Sequence, residues 1–116
     1  MFIDQIKEIA GQKIHHPGVM ENVIKKVLIG PKQGWEGWTM RQFDLAANGF
    51  TPRHTHPWPH INYVISGQGL LYLDGHDYEV GPGSIAYVPD NVEHQFKNIG
   101  SEDFSFICIV PEEGDK

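Results

Sequence analysis

Turn-forming residues recur so closely along this chain that they leave room for strands and little room for long helices. Asn48-Gly49, Ser66-Gly67-Gln68-Gly69, Asp74-Gly75, Gly81-Pro82-Gly83, Pro89-Asp90-Asn91 and Ile99-Gly100 supply positive or pre-set φ angles, which is what a tight reversal requires. The apolar runs between them are mostly four to eight residues long and predict strands over 22–29, 37–46, 60–66, 70–73, 76–80, 84–88, 94–98 and 104–110. Many short strands at close spacing imply an all-β barrel or sandwich. Segment 2–10 fits two descriptions: Ile3, Ile6 and Ala10 suit a helix, and its length suits an outer strand.

The 116 residues suffice for one compact domain with its own core, and no linker, repeat or low-complexity tract divides them. The single cysteine, Cys108, cannot form an internal disulfide. Nine Lys and Arg against fifteen Asp and Glu give a net charge of −6, and with no basic run nucleic acid is not expected as a partner. The N-terminus places charges where a signal peptide needs an apolar stretch, and no run approaches the ~20 apolar residues of a membrane span. The expectation is a cytoplasmic protein that binds no membrane.

Seven histidines are many for this length, and three lie in Arg53-His54-Thr55-His56-Pro57-Trp58-Pro59-His60. In an extended strand His54 and His56 project to one face, and the Pro57-Trp58-Pro59 turn brings His60 back beside them. His94, at the head of another strand after a Pro-containing turn, is the fourth candidate. Clustered neutral imidazoles lacking a shared proton or metal would be unsatisfied acceptors, whereas one divalent transition metal satisfies them together. A lone histidine is usually satisfied by ordinary hydrogen bonds, and this plainer reading is kept for His15, His16 and His76: the first two in a loop before Pro17, the third in the Asp74-Gly75 turn, all solvent-exposed. Metallo-hydrolases also carry His-x-His, but their domains are far longer and add a carboxylate ligand.

Two motifs together resemble the cupin family. The first runs over 49–67, with Gly49, His54, His56, His60 and Gly67; its leading gap is one residue short, and His60 stands where the family usually has Glu. The second runs over 83–98, with Gly83, Pro89, His94 and Asn98, and Asn91 replaces a glycine. Asn tolerates positive φ, so the turn should survive. The resemblance implies an all-β, double-stranded β-helix or jelly-roll barrel spanning 1–116 as a single domain. It also implies metal ligation by His54, His56 and His94, with His60 in the usual carboxylate position. The all-histidine set and the Phe106 to Gly114 segment are similar to small, single-domain cupin-2 proteins of the manganese type. That resemblance puts manganese first; imidazole ligands by themselves leave Fe, Ni, Cu and Zn open.

Four neutral ligands leave a bound divalent ion its full charge, favouring an anionic or enolic guest. Strand alternation turns Asn62, Val64 and Ser66 inward with His60, and Phe96 inward with His94; Phe104, Phe106, Cys108 and Val110 share one face. Candidate ligand-binding residues are therefore Trp58, Asn62, Phe96 and Cys108. Cys108 either lines the cavity or is a small buried hydrophobe, and Trp58 either flanks the mouth or packs on another subunit. Tyr63 and Tyr72 are assigned to packing. No catalytic acid or base is identified: Glu79 cannot be placed in the cavity, and Glu93 has the opposite parity to His94. Two functions stay open, a metal-dependent oxygenase-type enzyme on a small molecule and a non-catalytic metal or small-molecule binding barrel. Apolar residues in 1–29 exceed what one outer strand needs, which suggests a homodimer; alternatively they close the bottom of their own barrel.

Overall fold

A computed structural model describes residues 1–115, and nine strands form its framework: β1 (Gln12–His16), β2 (Met20–Ile29), β3 (Trp38–Phe50), β4 (His60–Ser66), β5 (Gly69–Leu73), β6 (His76–Val80), β7 (Ile85–Val88), β8 (His94–Asn98) and β9 (Phe104–Pro111). All eight expected strands are present, with ends moved by a few residues. The sheet order is β6-β5-β8-β3-β9-β4-β7, with β2 on β3 and β1 on β2. The thirteen-residue β3 belongs to both halves of the roll. Its body pairs with β2 and β9, and its last residue, Phe50, meets Lys97 of β8. All ladders are antiparallel, so the fold is the all-β jelly roll expected.

The core follows strand parity. Leu45, Val64, Leu71, Phe96, Phe104, Phe106, Cys108 and Val110 are all buried, and Phe106 stacks on Phe96 and Phe43 with ring centroids 4.1 and 5.5 Å apart. Two turns behave as their residues require. Asn91 holds φ 63° in place of the motif glycine. Gly67 holds φ 83°, and a Cβ there would strike the Asp103 carbonyl oxygen.

Several expectations are corrected. His15 and His16 are exposed but lie in β1 rather than a loop, because 12–16 adds an edge strand to β2. Segment 2–10 forms neither a helix along its length nor a strand; it contains one 3-10 turn, Ile6–Glu8. Asn48-Gly49 is not a chain reversal but a bulge within β3: Asn48 has φ 66°, and the β2 register jumps between Glu21↔Phe50 and Val23↔Leu45. Ser66 is exposed, since the register on β9 shifts between Val64 and Ser66 and ends the alternation. Tyr63 is 49% exposed on the outer face; Tyr72 does pack, under Arg53 at 3.6 Å. The apolar residues of 1–29 divide between the two readings given for them. Val23 and Leu28 are buried and Ile14 packs on the core, while Phe2, Ile3, Ile6, Val19 and Val27 are exposed. Among the described residues no helix is long and apolar enough to cross a membrane.

Candidate metal centre and ligand cavity

The histidines meet by a route other than strand alternation. Residues 51–59 form no regular strand; instead the segment is pinned alongside β8. His54 and His94 exchange both backbone hydrogen bonds, 3.2 and 3.1 Å, so their side chains stand side by side as a hydrogen-bonded antiparallel pair. The Asn91 amide donates to the His56 carbonyl at 2.8 Å, which fixes the second imidazole over the first. His60 enters from the start of β4, opposite Val88. Five of the six pairings among the four rings have centroids 4.7 to 5.4 Å apart. His54, His56 and His94 each offer a nitrogen within 4.8 Å of the others, and His60 Nε2 lies 3.2 Å from His94 Nε2.

The hydrogen bonds behind the rings determine which nitrogens face inward. Nδ1 of His56 lies 2.8 Å from the Trp58 carbonyl, Nδ1 of His94 lies 2.9 Å from the Val92 carbonyl, and Nδ1 of His60 lies 2.6 Å from Asn62 Oδ1. The amide of Asn62 is oriented by donation to the Ile107 carbonyl. Each of these oxygens only accepts, so each Nδ1 carries the proton and each Nε2 presents its lone pair. Moving a proton to the Nε2 of His60 or His94 would set an Nδ1 lone pair against an oxygen. Two lone pairs thus face each other across 3.2 Å, an arrangement relieved by a cation placed among them. Protonation is resisted: burial, with neighbouring His94, lowers the His60 pKa to about 3. Burial, then His94 and His56, lowers His54 to about 4, and burial lowers His94. The donor set therefore fits a divalent metal that takes imidazole ligands, with ring orientations held from behind as metal ligands require.

The rings open onto a cavity of about 280 Å³. Trp58, Asn62, Phe96 and Cys108 all line it, with Phe43, Phe106, Met20 and Ile14 as apolar wall. Trp58 is stacked on His56 at 4.9 Å and 10°, which makes it part of the cavity's rim. Glu93 bonds the Tyr72 hydroxyl at 2.8 Å and turns away from the histidines, as its parity implied. Sequence reasoning missed Lys25 and Arg41, which line the cavity, and Asp115, which pairs with both. Arg41 was detectable, since it shares parity with the inward Phe43 and Leu45 on β3.

Residues 41–110 match the family profile for the cupin domain. With a jelly roll and a histidine cluster at its mouth, the chain belongs to the cupins. Among solved structures it is similar to the polyketide cyclase RemF from Streptomyces resistomycificus, at 27% identity and a TM-score of 0.87 over 96% of this chain and 79% of that one. Among curated proteins it is 37% identical to glucose-6-phosphate isomerase from Thermococcus kodakarensis, over 53% of this chain and 37% of that protein. It is 33% identical to acireductone dioxygenase from Bacillus cytotoxicus, over 40% of this chain and 31% of that protein. The matched stretch thus spans about a third of each of these curated relatives.

Proposed function

We propose that this cupin holds one divalent transition metal through His54, His56, His60 and His94 and acts as an oxygenase-type enzyme on a small anionic or enolic molecule. The carrying observation is the set of inward Nε2 lone pairs of His56, His60 and His94, two of them 3.2 Å apart, each fixed by an oxygen behind its ring. Bound there, the ion supplies Lewis acidity and leaves coordination positions for a guest. Manganese is proposed first, on the resemblance to four-histidine cupins. The protein's own groups do the rest: Asn62 and the Trp58 and Val92 carbonyls hold the tautomers, while Trp58, Phe96, Phe43 and Phe106 exclude water from the guest. Support for oxygen chemistry comes from the similarity to a dioxygenase. The similarities to an isomerase and a cyclase show that related barrels host other reactions.

A second reading, a non-catalytic metal or small-molecule binding barrel, is favoured because among the described residues no carboxylate lines the cavity at the histidine cluster to serve as acid or base. Elemental analysis after purification without added metal, followed by oxygen uptake against diketones, thiols and catechols, separates the two. Consumption dependent on the bound metal supports the enzyme; stoichiometric metal with no turnover of any panel member supports the binding barrel. The proposal also takes 1–116 as one cupin domain working in the cytoplasm as a homodimer, with Cys108 lining the ligand site. Light scattering tests the dimer, a mass near the monomer's 13.1 kDa refuting it.

A further inference from the structure

On the inward face of three neighbouring strands a polar row crosses the barrel. Arg41 on β3 is the register partner of Cys108 on β9, and Cys108 is the partner of Asn62 on β4. Asn62 in turn holds His60. With strands ~4.8 Å apart, the backbones of Arg41 and Asn62 are about 10 Å apart, so the row joins a cationic end of the cavity to the histidine end. Lys25 joins Arg41 at the cationic end. Their counter-ion is Asp115, brought in by the 3-10 turn Glu112–Asp115: Lys25 Nζ lies 2.8 Å and Arg41 Nη1 3.7 Å from its Oδ1. These side chains are only 17%, 12% and 22% exposed, in the order Lys25, Arg41, Asp115.

The guanidinium is poorly satisfied by this arrangement. Its Nη2 donates to the Cys108 thiol at 3.0 Å, a weak acceptor, and its buried Nε has no partner among the described residues. A guanidinium offers five donors in a planar fork that matches a carboxylate in bidentate geometry; among the described residues its carboxylate neighbour, Asp115 Oδ1 at 3.7 Å, stands beyond hydrogen-bonding distance. Among the described residues two positive charges thus share one carboxylate, close to Lys25 and out of bonding reach of Arg41, next to an apolar wall of Phe43, Phe106 and Met20. The turn carrying Asp115 is also seated on the rim. A Cβ at Gly114 would fall 2.6 Å from Trp58 Nε1, and Trp58 stacks on His56.

We infer that Lys25 and Arg41 receive the anionic group of the ligand, a carboxylate on a small apolar body, and that Asp115 is an internal counter-ion which the ligand displaces. The inference rests on the cavity being the ligand site, as proposed above, but not on the metal. The ligand then spans from its carboxylate at Lys25 and Arg41 to its reacting end at the histidines, and entry shifts the turn against Trp58.

The test is a tryptophan-fluorescence titration of the full chain with 3-phenylpropionate and its neutral amide, with and without chelator. The acid is expected to bind at least 10-fold tighter than the amide. Asp115→Asn should tighten the acid at least 5-fold, and Arg41→Gln and Lys25→Gln should each weaken it at least 10-fold, with metal content by elemental analysis unchanged in all three. A merely structural ion pair predicts the same sign for all three variants, so parallel weakening overturns the inference, as does equal binding of acid and amide or binding of neither. Because Arg41→Gln removes a buried cation, thermal unfolding is followed in parallel; the signs for Asp115→Asn and Lys25→Gln decide the matter if it does not fold. If acid binding ignores these variants and vanishes with chelator, the anion sits at the histidines: this inference falls and the metal reading stands. If the opposite signs appear in protein that binds no metal, the metal reading falls and this inference stands.

Discussion

Acidification of the metal-free protein should reduce its stability through the histidines, with a slope that the structure fixes in sign. His60 is 5% exposed, and burial beside His94 lowers its pKa to about 3. In the unfolded chain it titrates near 6.5. Above pH 6.5 both states hold it neutral and stability is fully present. Below that, the unfolded chain takes a proton that the folded chain refuses, and stability is lost steadily until the pH reaches about 3. One such group contributes a slope approaching ~1.4 kcal/mol per pH unit, about 2.5 kcal/mol between pH 6 and pH 4. His54 and His94 act in the same direction, with His54 contributing less because it is only half buried and solvent screens it. The assay is urea unfolding in chelator at half-unit steps from pH 7.5 to pH 5, where carboxylates stay largely ionised, comparing the protein with His60→Gln. The variant should lose close to one proton's worth of slope. Equal slopes would refute the assignment of His60 as a buried neutral imidazole.

Three further outcomes are expected. Phe106→Ala opens a void among Phe43, Phe96 and Phe104 and should cost ~3–5 kcal/mol in denaturant unfolding; a cost under 1 kcal/mol would contradict the packing described. Asn91→Val puts a β-branched residue at φ 63° and should cost ~1–3 kcal/mol by the same assay, whereas Asn91→Gly should be close to neutral. His60→Glu should keep the metal while lowering the site's net charge by one, so carboxylate affinity at equal metal occupancy should weaken; tighter binding would contradict the charge argument.

Most of the framework was legible because it depends on local turn chemistry and a period of two. Asp74-Gly75 reverses the chain between β5 and β6, and Phe104, Phe106, Cys108 and Val110 all turn inward as alternation requires. What escaped depends on pairing rather than on local sequence. His15 and His16 read as loop because β1 is an exposed edge strand, held by register to β2 and reaching the core through Ile14 alone. Asn48-Gly49 looked like a reversal because a bulge needs the same positive φ as a turn. The convergence of His54, His56 and His60 was expected from spacing and that of His94 from the second motif, but its cause is the backbone bridge between His54 and His94 and the anchoring of His56 by Asn91. Asp115 could not be placed from sequence, since its contact joins a C-terminal 3-10 turn to Lys25 on β2 and Arg41 on β3, far apart along the chain.

The central claim is that four imidazoles form one metal centre, and elemental analysis of single variants after equilibrium dialysis against limiting Mn²⁺ and, separately, Zn²⁺ tests it most directly. The account predicts one ion per chain in the unaltered protein, loss of stoichiometric binding in the His54→Ala, His56→Ala double variant, and clear weakening in His60→Ala and His94→Ala. Metal fully retained in the double variant, with its fold intact by circular dichroism, would contradict the claim.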